Sequence, residues 1–374
     1  MKSKLGLYVH VPFCAAKCAY CDFYSLAGQA PQRMDAYVRR LTEQLAQAAD
    51  ACAAYTVDTI YFGGGTPSLL GGARLARMLQ EIARRYDVAP EAEITAEANP
   101  DSMTDEFLSA ARAAGVNRLS VGIQSAHDEE LRALGRVHTF AQALRAVARA
   151  RREGFANLSL DLMYALPGQT PARLSQSLDA LLALEPEHLS CYGLTLEPDT
   201  PLGRRKPVLP DEDAQADLYL LVCETLARAG FEHYEISNFA RGRRFRSRHN
   251  SRYWAQSPYL GFGPGAHSDF GGQRTAWPRD LDAWLRGDAH PAVEDGDIDR
   301  AREYLMLALR TSDGWDAAHY RAAFGRDPAP VERALAALPS AYIRHTGTRW
   351  HLTDAGFLIS NPILLAALDA AETH

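Results

Sequence analysis

Six apolar or β-branched runs punctuate the first 230 or so residues, at 5–11, 57–62, 93–98, 118–123, 157–163 and 188–196. Between them the apolar positions return every three or four residues. Tyr37, Val38, Leu41 and Leu45 fall on one helical face, and Leu75, Met78, Leu79 and Ile82 on another. Start and stop signals agree with this division. Thr170 before Pro171 predicts an N-cap with proline at the first helical position. Thr139 with Gln142 is a capping-box pattern. Gly115, Gly154 and Gly230 lie just past helical runs, where a left-handed C-cap favours glycine. Strands alternating with helices predict a parallel sheet with right-handed crossovers. Six units are too few for a closed eight-stranded barrel. The expected fold is therefore α/β, a partial (βα)6 barrel with its chemistry where strands end and loops begin.

After about residue 231 the pattern changes. Residues 241–248 are basic, and 249–278 are rich in aromatics and glycine. Helical patterns return at 302–309, 317–324 and 331–338. A strand-like hairpin follows at 341–345 and 349–352, turned at Thr346-Gly347-Thr348. Helices followed by a hairpin predict a smaller C-terminal α+β domain of winged-helix-like form. The expected organisation is a core barrel over 1–235, a linker region over 236–300 and the C-terminal domain over 301–374.

A hydrophobic share of 47% and a charged share of 23% over 374 residues are those of an ordinary soluble globular chain. The net charge of −6 argues against nucleic acid as a partner. No run approaches the roughly 18 apolar residues of a membrane span, so no transmembrane segment is expected. The N-terminal apolar run is broken by His10 and Pro12 and does not read as a signal peptide. The expected location is cytoplasmic. Of six cysteines, Cys52, Cys191 and Cys223 are scattered and read as core thiols. Cys14, Cys18 and Cys21 are clustered, and in a reducing compartment a tight trio points to metal rather than to disulfides.

The spacing Cys14-x3-Cys18-x2-Cys21 falls in the loop directly after the first predicted strand. Thiolates are the natural ligands of an iron–sulfur cluster. Three within eight residues can wrap one cluster and leave one iron without a protein ligand. The alternative is a zinc site, which wants a fourth ligand; His10 is the nearest candidate, awkwardly placed inside a strand.

This spacing resembles that of the radical S-adenosylmethionine (SAM) superfamily, and the run Tyr8-Val-His-Val-Pro-Phe-Cys14 is similar to the HemN/HemW branch. The resemblance implies a [4Fe-4S] cluster whose open iron chelates the amino and carboxyl groups of SAM. It further implies SAM contacts from Tyr8, Tyr20, Gly64, Gly65, Thr66, Glu97, Gln124, Arg136 and Asp161. Gly63-Gly-Gly-Thr-Pro67 ends strand two, where backbone amides are expected to hold the methionine end. Glu97 ends strand three and would accept hydrogen bonds from a ribose or an ammonium group. Gln124 ends strand four, Arg136 lies on the loop or helix after it, and Asp161 sits within strand five.

Two subfamilies share this frame. The oxygen-independent coproporphyrinogen III oxidases have a longer N-terminal extension and a Gly-Cys pair after the third cluster cysteine. Here Asp22-Phe23 follows Cys21, and thirteen residues precede Cys14. The HemW subfamily of haem chaperones carries Cys-x-Phe and His-Asn-x-x-Tyr-Trp, which read here as Cys21-Asp-Phe23 and His249-Asn-Ser-Arg-Tyr-Trp254. The resemblance thus implies a haem chaperone that delivers haem to client proteins, with a reductant protein as a further partner. His249 is the candidate haem ligand and His267 its alternative, since a neutral imidazole can ligate haem iron. Tyr253 and Trp254 offer flat apolar faces to a porphyrin. Arg241, Arg243, Arg244, Arg246 and Arg248 could pair with propionates. The oxidase, a HemN-like radical SAM methyltransferase and, last, a DNA-binding C-terminal domain are the alternatives.

Overall fold

The computed structural model describes residues 2–294, 296 and 298–372. The chain divides into two units, Met1–Pro210 with Ser257–Asp295, and Asp211–Gln256 with Gly296–His374. The stretch expected as a linker is thus shared: its first part folds with the second unit and its later part with the first.

The first unit is built on six parallel strands in sequential order: β1 (Ser3–Val11), β2 (Tyr55–Gly64), β3 (Val88–Ala98), β4 (Arg118–Gln124), β5 (Leu158–Tyr164) and β6 (His188–Gly193). These are the six predicted strands. Helices α1 (Pro31–Ala48), α2 (Gly72–Arg85), α3 (Asp105–Ala113), α4 (Asp128–Ala133), α5 (Phe140–Arg152) and α6 (Pro171–Leu182) lie between them. The core is where both patterns meet. Leu5, Leu7, Val9 and Val11 of β1 are fully buried, as are Tyr37, Leu41 and Leu45 of α1 and Leu75, Met78 and Ile82 of α2. The start signals also act as read: Thr139 and Gln142 close a capping box on α5, and the Thr170 side chain accepts from the Arg173 amide at the head of α6.

A seventh parallel strand, β7 (Tyr259–Phe262), pairs with β1 on its open edge, Gly6 beside Tyr259 and Val9 beside Phe262. It was not predicted. Four residues in a stretch rich in glycine and aromatics are too few to show a period. Three short antiparallel strands, His267–Phe270, Gln273–Ala276 and Ala292–Val293, extend the sheet beyond it.

The second unit begins with a helix; with α7 (Pro201–Arg205) closing the chain of the barrel before it, this is α8 (Glu212–Arg228). The antiparallel pair Glu232–Glu235 and Asn238–Ala240 and the helix α9 (Arg248–Trp254) follow. Helices Arg300–Ala308, Ala317–Phe324 and Ala329–Ala336 then pack with a three-stranded antiparallel sheet of Trp315–Asp316, Arg349–Leu352 and Ile343–Thr346. This is the expected smaller α+β unit of helices and a hairpin. Among the described residues no helix is long and apolar enough to cross a membrane.

Candidate functional site

The cysteine loop is fixed from two sides by backbone. On one side, the Gly65 amide donates to Val11 O at 2.8 Å and the Thr66 amide to Phe13 O at 2.7 Å. A Cβ on Gly65 would lie 2.6 Å from Val11 O and 2.7 Å from Phe13 O, so only glycine permits this approach. On the other side, the Ala19 amide donates to Leu134 O at 2.9 Å, and Leu202 N donates to Ala19 O at 2.7 Å. Gly135, with φ of +75°, makes room: a Cβ there would stand 3.0 Å from Ala19 N. Ala19 sits in a buried apolar cluster with Leu134, Met163, Leu166, Leu194 and Leu202, and Tyr20 packs against it.

The three thiols are half-buried and form no disulfide. The Thr66 hydroxyl donates to Cys14 Sγ at 3.5 Å, and Arg136 Nη1 donates to Cys18 Sγ at 3.3 Å. Burial pushes the Cys21 thiol up to about 11, and the Cys18 and Cys14 sulfurs facing it push the same way. Three half-buried free thiols on one short loop, with donors aimed at two of them, fit a metal–sulfur cluster that spreads negative charge over its ligands. His10 is not a fourth ligand. Its Nε2 donates to Tyr24 O at 2.8 Å, so its Nδ1 accepts from the Tyr8 hydroxyl at 3.0 Å. Burial lowers its pKa to about 4, which keeps this neutral form at physiological pH.

The remaining candidates gather around the same mouth. Arg136 Nη2 donates to Asn99 Oδ1 and to Gly122 O, each at 2.6 Å, and Asn99 Nδ2 donates to Thr66 Oγ1 at 3.0 Å. Arg136 Nε is buried with no hydrogen-bond partner. Gln124, at the end of β4, holds φ of +76°, a strained conformation for a non-glycine residue and a pointer to a constrained site. Its amide lies beside Gly122 and the Arg136 guanidinium. Glu97 Oε1 accepts from the Tyr61 hydroxyl at 2.8 Å, and its Oε2 accepts from the Gly64 amide at 3.1 Å. Burial raises Glu97 to about 7, partly offset by these two donors and by Arg118. Asp161 is raised to about 6 by burial, partly offset by Ser190, Arg118 and Ser120; the Ser120 hydroxyl donates to it at 3.3 Å. Burial raises the Tyr20 phenol, which also senses Arg136, Cys18, Cys21 and Asp161. The Tyr8 ring lies 6.2 Å from that of Tyr61.

One expectation changes in detail. The amides of Gly64, Gly65 and Thr66 are already committed to Glu97, Val11 and Phe13. At this position the three backbone amides are therefore not free donors.

The run His249-Asn-Ser-Arg-Tyr-Trp254 lies in the second unit. Ser247 caps α9, accepting from the Asn250 amide. His249 is 1% exposed, and its Nε2 shares a hydrogen bond of 2.9 Å with the Tyr253 hydroxyl. The basic run is largely engaged. Arg246 bonds Asp313 and Glu232, Arg241 donates to Ala229 O and lies over the Phe231 ring, and Arg244 lies over Phe245. His267, in the first unit, is half-exposed and bonds Glu294 through Nδ1 at 2.8 Å. Asn99, the link between Arg136 and Thr66, carried no role in the sequence; only its place two residues after Glu97 at a strand end could have marked it.

A family profile described as the radical SAM superfamily matches residues 8–181, and one described as the HemN C-terminal domain matches 297–359. The chain is 38% identical over 380 residues to the heme chaperone HemW of Mycobacterium tuberculosis, covering 97% of this chain and 94% of that one. It is 36% identical to the heme chaperone HemW of Escherichia coli, covering 96% and 97%, and 34% identical to that of Bacillus subtilis, covering 96% and 98%. The solved structure of coproporphyrinogen III oxidase (HemN) from Escherichia coli superposes with a TM-score of 0.84 at 22% identity, over 98% of this chain and 90% of that one. That likeness shows the fold alone.

Proposed function

The chain belongs to the radical SAM superfamily and, within it, to the family of HemW heme chaperones, and from that membership we propose that it binds haem and delivers it to haem-requiring client proteins. Membership of the superfamily implies a [4Fe-4S] cluster and SAM. The observation that carries the proposal is the pair Cys21-Asp-Phe23 and His249-Asn-Ser-Arg-Tyr-Trp254, in a chain aligned nearly end to end with proteins named heme chaperone. A cytoplasmic setting and an electron-donating protein belong to the same proposal.

Cys14, Cys18 and Cys21 would hold the cluster. When bound, cluster and SAM together supply one-electron cleavage of a sulfonium C–S bond. Arg136 and Thr66 donate to Cys18 and Cys14 and temper the charge that collects on these sulfurs. Arg136 is held to that task by Asn99 and Gly122. Glu97 and Asp161 would accept hydrogen bonds from hydroxyl or ammonium groups of SAM, and Gln124, Tyr8 and Tyr20 would contact it beside them. His249 is the proposed haem ligand. Binding through Nε2 would require it to leave Tyr253.

The oxidase alternative shares the HemN-like fold, which does not separate the two readings. It is opposed by Asp22-Phe23 standing where that subfamily carries Gly-Cys. Anaerobic incubation with coproporphyrinogen III, SAM and a reductant separates the two. No protoporphyrinogen is expected, whereas haem titration should give a stoichiometric complex with its own Soret band. Turnover of the porphyrinogen would overturn the chaperone assignment.

A further inference from the structure

Cys223, His233 and Asp354 come from three separate elements of the second unit: α8, the strand Glu232–Glu235 and the short helix Asp354–Leu358. One ligand atom of each lies within 4.8 Å of the other two. His233 Nδ1 is 2.7 Å from Asp354 Oδ1 and 3.9 Å from Cys223 Sγ. A single ring nitrogen therefore faces both a carboxylate and a thiol, and with one proton it can satisfy only one of them.

The surroundings hold the trio in register. Tyr219 stands one helical turn before Cys223 on α8 and donates its hydroxyl to Asp354 O at 3.2 Å. The Phe239 ring stacks on the imidazole with centroids 4.2 Å apart, and the Phe357 ring leans on it at 5.0 Å. The His233 side chain is 8% exposed and Cys223 is buried, whereas the Asp354 side chain is 46% exposed. The result is an apolar box open at its carboxylate, where an ion can enter and a water can complete the shell.

Thiolate, imidazole and carboxylate form a borderline-soft set that suits zinc(II). Tetrahedral zinc with these ligands sets N···O near about 3.4 Å and N···S near about 3.6 Å. The carboxylate would move off the imidazole by well under an ångström, and the thiol would approach by a few tenths.

We propose that Cys223, His233 and Asp354 form a mononuclear site for a zinc(II)-class divalent cation in the second unit, separate from the cysteine trio of the barrel. The chain with its iron–sulfur cluster loaded is equilibrated with buffered zinc(II), its zinc is counted, and zinc K-edge absorption gives the ligand shell. One zinc per chain is expected, with one sulfur and the remaining ligands nitrogen or oxygen. Loss of outer-shell partners alone weakens metal sites by about 10–100-fold, so Cys223→Ser and Asp354→Asn should each weaken binding by about 100-fold or more. Both variants should keep iron and sulfide content, and Asp354→Asn keeps an acceptor for His233. Zinc should raise the unfolding temperature of the intact chain and not of the variants. An intact chain that retains no zinc, a three-sulfur shell, or unchanged affinity in both folded variants would each overturn the site.

Discussion

Arg136 reaches the cysteine loop through Nη1, 3.3 Å from Cys18 Sγ, while its Nη2 is tied down by Asn99 and Gly122. A donor held this firmly on a ligand sulfur favours the more negative, reduced cluster. Arg136→Lys should therefore lower the reduction potential. A hydrogen bond to a charged group is worth about 1.5–3 kcal/mol, so the shift should not exceed about 130 mV. Potentiometric titration followed by EPR reads it. An unchanged potential with intact cluster content would remove this role from Arg136.

Cys14, Cys18 and Cys21 are the three proposed ligands. Alanine at any one should abolish the iron–sulfur absorbance of anaerobically reconstituted protein. A full cluster in the Cys18→Ala variant would contradict the ligand set.

Gly135→Ala meets two obstacles, a left-handed φ and a Cβ 3.0 Å from Ala19 N. Gly28→Ala has a similar φ of +66° and open space around it. Both should lose about 1–2 kcal/mol in denaturant titration from the backbone alone. Only Gly135→Ala should also lose cluster content, because Ala19 neighbours Cys18.

The pH dependence follows from Glu97 and Asp161. Both are raised, to about 7 and about 6, so the fold favours their protonated forms. Their stabilising contribution is present at low pH and is lost as pH rises through those values. Glu97→Gln removes the larger part. The variant should gain stability relative to the parent as pH climbs from 5 to 8 in the absence of ligand. A constant difference across that range would show that the carboxyl titrates as if in water. SAM affinity of the parent should rise through the same range, since a carboxylate accepts hydrogen bonds better than a carboxylic acid.

His249 shares Nε2 with the Tyr253 hydroxyl at 2.9 Å. Tyr253→Phe removes that partner from the nitrogen. The net worth of such a bond is about 1 kcal/mol, so haem should bind several-fold more tightly. His249→Ala should weaken binding or move the Soret band. An unaltered spectrum and affinity in His249→Ala would pass the ligand role to another residue, with His267 the first to test.

The barrel was legible because its signals are local. Strand runs, capping pairs and the cysteine spacing each sit within a dozen residues, and the sheet arranges them in chain order. What the sequence hid is what folding brings from afar. β7 joins β1 across some 250 positions and is four residues long. His10 reads as a spare ligand until Tyr8 and Tyr24 are seen to occupy both its nitrogens. Asn99 gains its place only when Arg136, 37 positions on, folds back to it. Cys223 reads as an inert core thiol, and His233 and Asp354, 121 positions apart, give no hint of meeting beside it.

Haem delivery is the most direct test. The chain, loaded with cluster and one equivalent of haem, is mixed anaerobically with a haem-free acceptor protein, and the acceptor's Soret band is followed with and without SAM. Haem should pass to the acceptor faster than it is lost to a haem scavenger alone. Haem that never binds stoichiometrically, or that reaches the acceptor no faster than it reaches the scavenger, would contradict the chaperone function.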